Sequence, residues 1–379
     1  MYKRSIEEKV KGWLFRKEVI IIYGARQVGK TTFAKDLASQ IDPNYNYIDC
    51  DLFPNREPLS SQNKEVLVKF VGGSKVVILD EAQRVENIGL NLKILHTYCP
   101  DTQFIATGSS SFDLANKINE PLTGRNIKFE MYPLSLREIS SKHNIYSIRG
   151  QLDQILRYGL YTGVFDLPEQ DKKTKLRMIN QDYLYRDVLA TDKVKMMSSL
   201  EDLVRYLALS IGKELSYTGI AEKLKIDKKT VEKYITLLEQ AFVIYRLKPL
   251  YRNLVKEIRN PFKIYFWDVG IRNAVLDNFT SLSLRDDVGR LWENFCISER
   301  IKLNSNQNIH KKYYFWRTDD KKEYDLVEET EGGFEVFEIK WSETKKAKHY
   351  QEFFDAYPVK NETGKAFVIN RENIGDWLV

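Results

Sequence analysis

The sequence predicts an α/β protein: a parallel sheet covered by helices, then a mostly helical middle, then a second α/β region. Three observations carry this. From residue 19 to about 132, short apolar runs alternate with helical stretches, the pattern of parallel strands joined by covering helices. Near Pro133 the alternation stops, and residues 134–210 take on helical spacing, with Leu152, Ile155, Leu156 and Leu160 on one face. From about residue 285 strand-like runs return, among them Tyr313–Trp316, Tyr324–Val327 and Phe334–Lys340.

Taken in order, residues 1–17 read as a short amphipathic helix with Ile6, Val10, Trp13 and Leu14 on one side. Strands are expected at 18–23, 45–49, 75–79, 102–107 and 126–131, with helices at about 30–40, 63–71 and 88–98. A polar run, residues 168–173, is expected to break the helical middle. Residues 200–265 hold short helices followed by strand-like stretches such as Phe242–Tyr245. The expected division is 1–137, a helical connector at 138–199, then 200–284 and 285–379.

The chain of 379 residues is long enough for two or three domains with their own cores, and 43% apolar with 30% charged residues fits a globular class. The net charge of +6 is a mild basic excess that permits nucleic-acid binding without demanding it. Cys50, Cys99 and Cys296 are scattered and odd in number, which argues for free thiols in a reducing compartment. The start lacks an apolar leader, and no apolar run approaches the roughly 20 residues that span a bilayer. The expectation is a cytoplasmic protein without a membrane partner.

Directly after the first strand comes Gly24-Ala25-Arg26-Gln27-Val28-Gly29-Lys30-Thr31-Thr32. Glycines at the first and sixth positions let the backbone curl so that successive N–H groups point inward, and the following helix adds the positive end of its dipole. Gly24, Gln27, Val28, Gly29, Lys30, Thr31 and Thr32 are therefore the candidate ATP-binding residues. Lys30 is expected on the β/γ-phosphates and the Thr31 hydroxyl on Mg²⁺. Val76-Val77-Ile78-Leu79-Asp80-Glu81 would carry two acids to the same sheet edge, where ligands bind in open α/β sheets. Asp80 is the candidate second metal ligand and Glu81 the candidate base for water. The run Gly108-Ser109-Ser110-Ser111 offers Ser109 near the γ-phosphate, with a loop capping the next helix as an equal alternative. Arg125, in Leu122-Thr123-Gly124-Arg125, is a candidate for stabilising transition-state charge; a surface arginine before a strand is the competing reading.

The phrases Gly-Ala-Arg-Gln-Val-Gly-Lys-Thr-Thr, Ile-Leu-Asp-Glu-Ala-Gln, Thr-Gly-Ser-Ser-Ser, Leu-Thr-Gly-Arg and Tyr-Pro-Leu-Ser resemble the prokaryotic AAA-type ATPases of the archaeal ATPase group. The resemblance is sharpest over 19–138 and extends along the chain. It implies a P-loop AAA-like core with ATP binding and hydrolysis, and a C-terminal domain of uncharacterised function.

Residues 216–235 read as helix, turn, helix, with Ile220, Ala221 and Leu224 facing Val231, Tyr234 and Ile235, and Asp227 capping the second helix. A winged-helix segment at 200–284 would present Lys228, Lys229, Thr230 and Lys233 to DNA phosphates. The first turn lacks Arg, Asn and Gln, so sequence specificity should be weak. A packing or protein-contact module is the alternative.

In the last segment, alternation places Glu338 and Lys340 on one strand face, with Asp325 on a neighbouring strand and Glu293 on a helix upstream. Acids that hold Mg²⁺ and a lysine that positions water are what metal-dependent phosphodiester cleavage needs. The set resembles the PD-(D/E)XK restriction-endonuclease-like fold, also shared by the ATPases named above through Glu293-Asn294, Glu323-Tyr324-Asp325 and Phe337-Glu338-Ile339-Lys340. A buried ion-pair cluster on a retained fold is the alternative. Lys321, Lys322, Lys345, Lys346 and Lys348 could attract phosphate or form a solvated face.

Four classes fit these observations: an ATPase that moves the middle segments, a slow nucleotide-dependent switch with an inactive nuclease-like domain, an ATP-gated nuclease, and a small-molecule kinase. Oligomerisation is compatible with all four.

Overall fold

The computed structural model describes residues 2–109, 122–189, 197–251, 261–318, 320, 322–331, 333–343, 350–358 and 364–378, with the side chains of 182–189 and 350 left aside. The chain divides into two compact units, one of residues 3–133 with 240–242, the other of residue 2, 134–239 and 243–379. Among the described residues no helix is long and apolar enough to cross a membrane.

The first unit holds the expected parallel sheet. Its strands are β1 (Val19–Tyr23), β2 (Asn46–Asp49), β3 (Val76–Asp80), β4 (Gln103–Gly108) and β5 (Asn126–Glu130), in the order β2-β3-β4-β1-β5. Every neighbouring pair is parallel. With β1 inside the sheet, between β4 and β5, apolar runs such as Val-Ile-Ile-Ile are buried along their whole length, which is why they do not alternate. Helices Lys30–Ile41, Lys64–Val71 and Ile88–Tyr98 match the sequence reading closely. The second begins where the Asn63 side chain accepts from the N–H groups of Glu65 and Val66. The N-terminal helix is shorter than its apolar spacing suggests, Glu7–Lys11 only; Trp13 and Leu14 continue as turns.

The second unit opens with helices and ends in a seven-stranded mixed sheet, β12-β11-β10-β9-β7-β8-β6. These strands are β6 (Glu214–Leu215), β7 (Ile244–Pro249), β8 (Phe262–Phe266), β9 (Lys312–Arg317), β10 (Glu323–Thr330), β11 (Gly333–Ile339) and β12 (Lys365–Ile369). Strands from both sides of residue 285 thus share one sheet, joined by the parallel pair β7–β9 at Lys248↔Tyr314 and Pro249↔Phe315. The polar run at 168–173 is not a break. Glu169 starts a helix that runs to Leu189, and Pro168 precedes it, where its missing N–H costs nothing.

Candidate functional site

The loop between β1 and the helix Lys30–Ile41 needs its glycines. Gly24 has φ +155°, and a Cβ there would lie 2.0 Å from the Met131 carbonyl oxygen. Gly29 is left-handed at φ 94° and caps the helix. Gln27 is also left-handed, at φ 58°, at the loop's exposed crest, and Thr32 is exposed on the first turn. Lys30 is buried at 5% exposure, and its ammonium bends back over the loop to donate to the carbonyls of Gly24 (3.0 Å) and Ala25 (2.7 Å). Arg4, buried as well, ties the loop from behind by donating to Val28 O (2.8 Å) and Tyr132 O (2.6 Å).

The strand order brings β3 and β4 beside this loop. Thr31 Oγ1 lies 2.9 Å from both carboxylate oxygens of Asp80. Tyr47 of β2 donates to Asp80 Oδ2 at 2.8 Å, and Thr107 of β4 donates to Asp80 Oδ1. Three hydroxyls thus converge on one carboxylate. Burial and the Asp80 carboxylate push the Tyr47 phenol well above its ordinary range. Cys50, behind the site, is pushed up to about 12, mainly by burial.

Glu81 leaves the sheet in the left-handed region, φ 51° and ψ 41°. Its N–H donates to Thr107 Oγ1 (3.2 Å), and its carboxylate accepts from Gln83 Nε2 (2.5 Å). The same amide nitrogen reaches Ser109 Oγ at 3.2 Å. Ser109 is thus at this edge, as expected; Ser110 and Ser111 lie outside the described residues.

Arg125 is not at this edge. It precedes β5, exposed, with its carbonyl accepting from Val19 N at the opposite end of the sheet. Because β1 and β5 are parallel, the five residues of β1 separate it from the loop by about 16 Å. It therefore does not reach the phosphate loop of its own chain, and the role expected for it there is withdrawn.

In the second unit the four C-terminal candidates come together. Glu293, from the helix Val288–Asn306, accepts from Lys263 Nζ (3.3 Å) and Tyr265 OH (2.5 Å) of β8. Lys263 is 2% exposed and also pairs with Glu323 (2.5 Å). Asp325 accepts from Ile339 N at 2.7 Å, and Lys340 pairs with Glu338 at 3.2 Å. A register irregularity in β10 against β9, between Tyr324 and Val327, spans Asp325 and Leu326. Burial and the Glu293 charge push Asp325 up to about 7, against the opposing pull of Lys263 and Lys340. Of the lysines named as phosphate attractors, Lys322 pairs with Glu352 (3.0 Å). Lys321, Lys345, Lys346 and Lys348 lie outside the described residues.

The helix–turn–helix is formed by Tyr217–Leu224 and Lys228–Gln240. Asp227 accepts from Thr230 N at 3.1 Å, and Ile220, Val231, Tyr234 and Ile235 are buried. Lys228, Lys229 and Lys233 are exposed on the second helix, with Thr230 half-buried beside them. Lys228 lies 3.8 Å from Glu232.

Residues 16–140 match the family model of an AAA domain. Two further models, each described as a domain of unknown function, match residues 149–282 and 288–377. An uncharacterized protein of Mycobacterium tuberculosis is 26% identical over 347 residues, covering 90% of this chain and 74% of that protein. Another, from Methanocaldococcus jannaschii, is 27% identical over 339 residues, covering 75% and 69%. Among solved structures, the Holliday junction branch migration motor RuvB of Thermotoga maritima is similar at a TM-score of 0.33 and 16% identity, over 65% of this chain and 90% of that one. At that score the likeness carries no argument.

Within the first unit, sequence reasoning gave no role to Tyr47, Thr107, Gln83 and Arg4. Gln83 and Thr107 stand in phrases quoted above for resemblance, Tyr47 and Arg4 in none; strand order and the loop fold bring all four in. In the second unit it missed Lys263 and Tyr265. There a signal existed: a lysine and a tyrosine at alternate positions of an otherwise apolar strand, Phe262-Lys263-Ile264-Tyr265-Phe266.

Proposed function

We propose that the AAA domain binds ATP with Mg²⁺ and hydrolyses it. The observation that carries this reading is the meeting of the Thr31 hydroxyl and the Asp80 carboxylate at 2.9 Å, one strand edge away from Lys30 and next to Glu81. That donor set, two hard oxygens beside a glycine cradle that leaves no room for a Cβ at Gly24, suits Mg²⁺ and a polyphosphate. Thr31 and Asp80 would hold the metal, which when bound neutralises phosphate charge. The N–H groups of residues 24–32 line the phosphates, and Lys30 exchanges its loop carbonyls for phosphate oxygens. Glu81 takes a proton from water as the water oxygen attacks the γ-phosphorus and the bond to ADP breaks.

The exposed Lys228, Lys229 and Lys233 support contact of the second helix with DNA phosphates, with weak sequence preference. The convergence of Glu293, Asp325, Glu338 and Lys340 supports a restriction-endonuclease-like fold for residues 285–379. Lys263 already pairs with Glu293 of this cluster and with the neighbouring Glu323, so the proposal extends to the fold and not to cutting.

The test is ATP turnover by the purified chain with and without Mg²⁺. Lys30→Ala should lose nucleotide binding, and Glu81→Gln should keep binding but lose turnover. Wild-type rates in either variant overturn the assignment.

A further inference from the structure

We propose that Gln83 is a positioning residue for hydrolysis: its side-chain amide couples the base Glu81 to the hydroxyl of Ser109. The inference rests on the ATPase reading above and adds a residue to it.

Glu81 has little to fix it from its own strand. β3 ends at Asp80, and Glu81 turns away in a left-handed conformation that a non-glycine residue adopts only when surrounding groups hold it. Two groups hold it. Thr107 takes its backbone N–H, which fixes where the side chain starts. Gln83 donates to its carboxylate, which fixes where the side chain ends. Gln83 is itself buried, at 8% exposure, in the short 3₁₀ turn Ala82–Arg84, so its amide is aimed by the backbone rather than left to swing.

The same nitrogen that holds Glu81 lies within hydrogen-bond reach of Ser109, itself 2% exposed at the end of β4. The base is thus oriented by a third group, the arrangement that keeps a general base at productive geometry. A primary amide suits this task. It donates through its N–H groups without itself titrating.

Removing the amide should therefore slow the chemical step and leave binding alone. Gln83→Ala is expected to lower kcat about tenfold to a hundredfold, the usual cost of losing such an outer partner, with ATP affinity within about twofold of wild type. Gln83→Glu keeps the shape but replaces the donor with an acceptor, so its kcat should fall at least as far as that of Gln83→Ala, again with ATP affinity within about twofold of wild type. A residue that mattered for packing alone would be rescued by the near-isosteric Gln83→Glu.

Turnover of Gln83→Ala within twofold of wild type, recovery of wild-type turnover in Gln83→Glu, or a fall in ATP affinity matching the fall in kcat would each overturn the inference. An absence of turnover in the wild type overturns the ATPase reading beneath it instead, and the two failures are told apart in the same assay.

Discussion

Replacing Thr107 by valine removes one hydroxyl and almost no volume, yet that hydroxyl serves two partners. It donates to Asp80 and accepts from the N–H of Glu81 at 3.2 Å, at a fully buried position. A hydrogen bond to a charged group is worth roughly 1.5–3 kcal/mol, and a buried N–H left without a partner costs roughly 1–3 kcal/mol. Asp80 keeps Thr31 and Tyr47, and Glu81 is only half-buried, so water can reach its N–H; both facts place the total low in the summed range. The expected loss is about 2.5–4 kcal/mol in the first unit. Hydrogen exchange read on peptides covering β3 and β4 isolates this domain from the rest of the chain. At 1.4 kcal/mol per decade, about 3 kcal/mol corresponds to exchange faster by roughly a hundredfold. Thr107→Ser, which keeps the hydroxyl, should stay near wild type. If Thr107→Val exchanges within threefold of wild type, Asp80 and Glu81 do not depend on this group and the account of the site's rigidity is wrong.

Two further outcomes are expected. Asp325 has a folded-state pKa of about 7 against an ordinary 3.8, so the folded state holds the extra proton between these values and stability falls as pH rises through them. Relative to Asp325→Asn, the wild type should lose about 2–3 kcal/mol between pH 5 and pH 8 in urea unfolding; a constant or opposite difference refutes the assignment. Changing Lys228, Lys229 and Lys233 together to alanine should weaken DNA binding evenly across sequences and reduce the slope of log affinity against log salt by up to about 3, read by fluorescence anisotropy. An unchanged slope would mean that this helix does not meet phosphate.

How legible these sites were in the sequence depended on how local their causes are. The phosphate loop was readable because Gly24, Gly29 and Lys30 are dictated by backbone geometry within nine residues. Asp80 and Glu81 were readable because a buried parallel strand has to end in something polar. Tyr47 and Thr107 were not, because they reach Asp80 only through the neighbours that β3 acquires in the sheet, and no local pattern encodes that order. Arg125 was misplaced for a different reason. It directly precedes β5, and in a parallel sheet the residue before a strand is at the far edge from the loop after β1. In the second unit Glu338 and Lys340 were singled out by alternation and Glu293 and Asp325 by their helix and strand context and by resemblance, whereas Lys263, which pairs with Glu293, comes from a strand on the other side of residue 285.

That last strand arrangement has a practical side. β7 is hydrogen-bonded on one flank to β8 and on the other to β9, where Leu250 N also donates to the Phe315 carbonyl at 2.7 Å. A fragment trimmed to end near residue 284 would leave β7 with a bare flank, and one trimmed to begin there would do the same to β9. Unpaired flanks of this kind recruit strands from other molecules and drive aggregation. The lysine-bearing helix and the carboxylate cluster are therefore separable on paper and inseparable in a test tube.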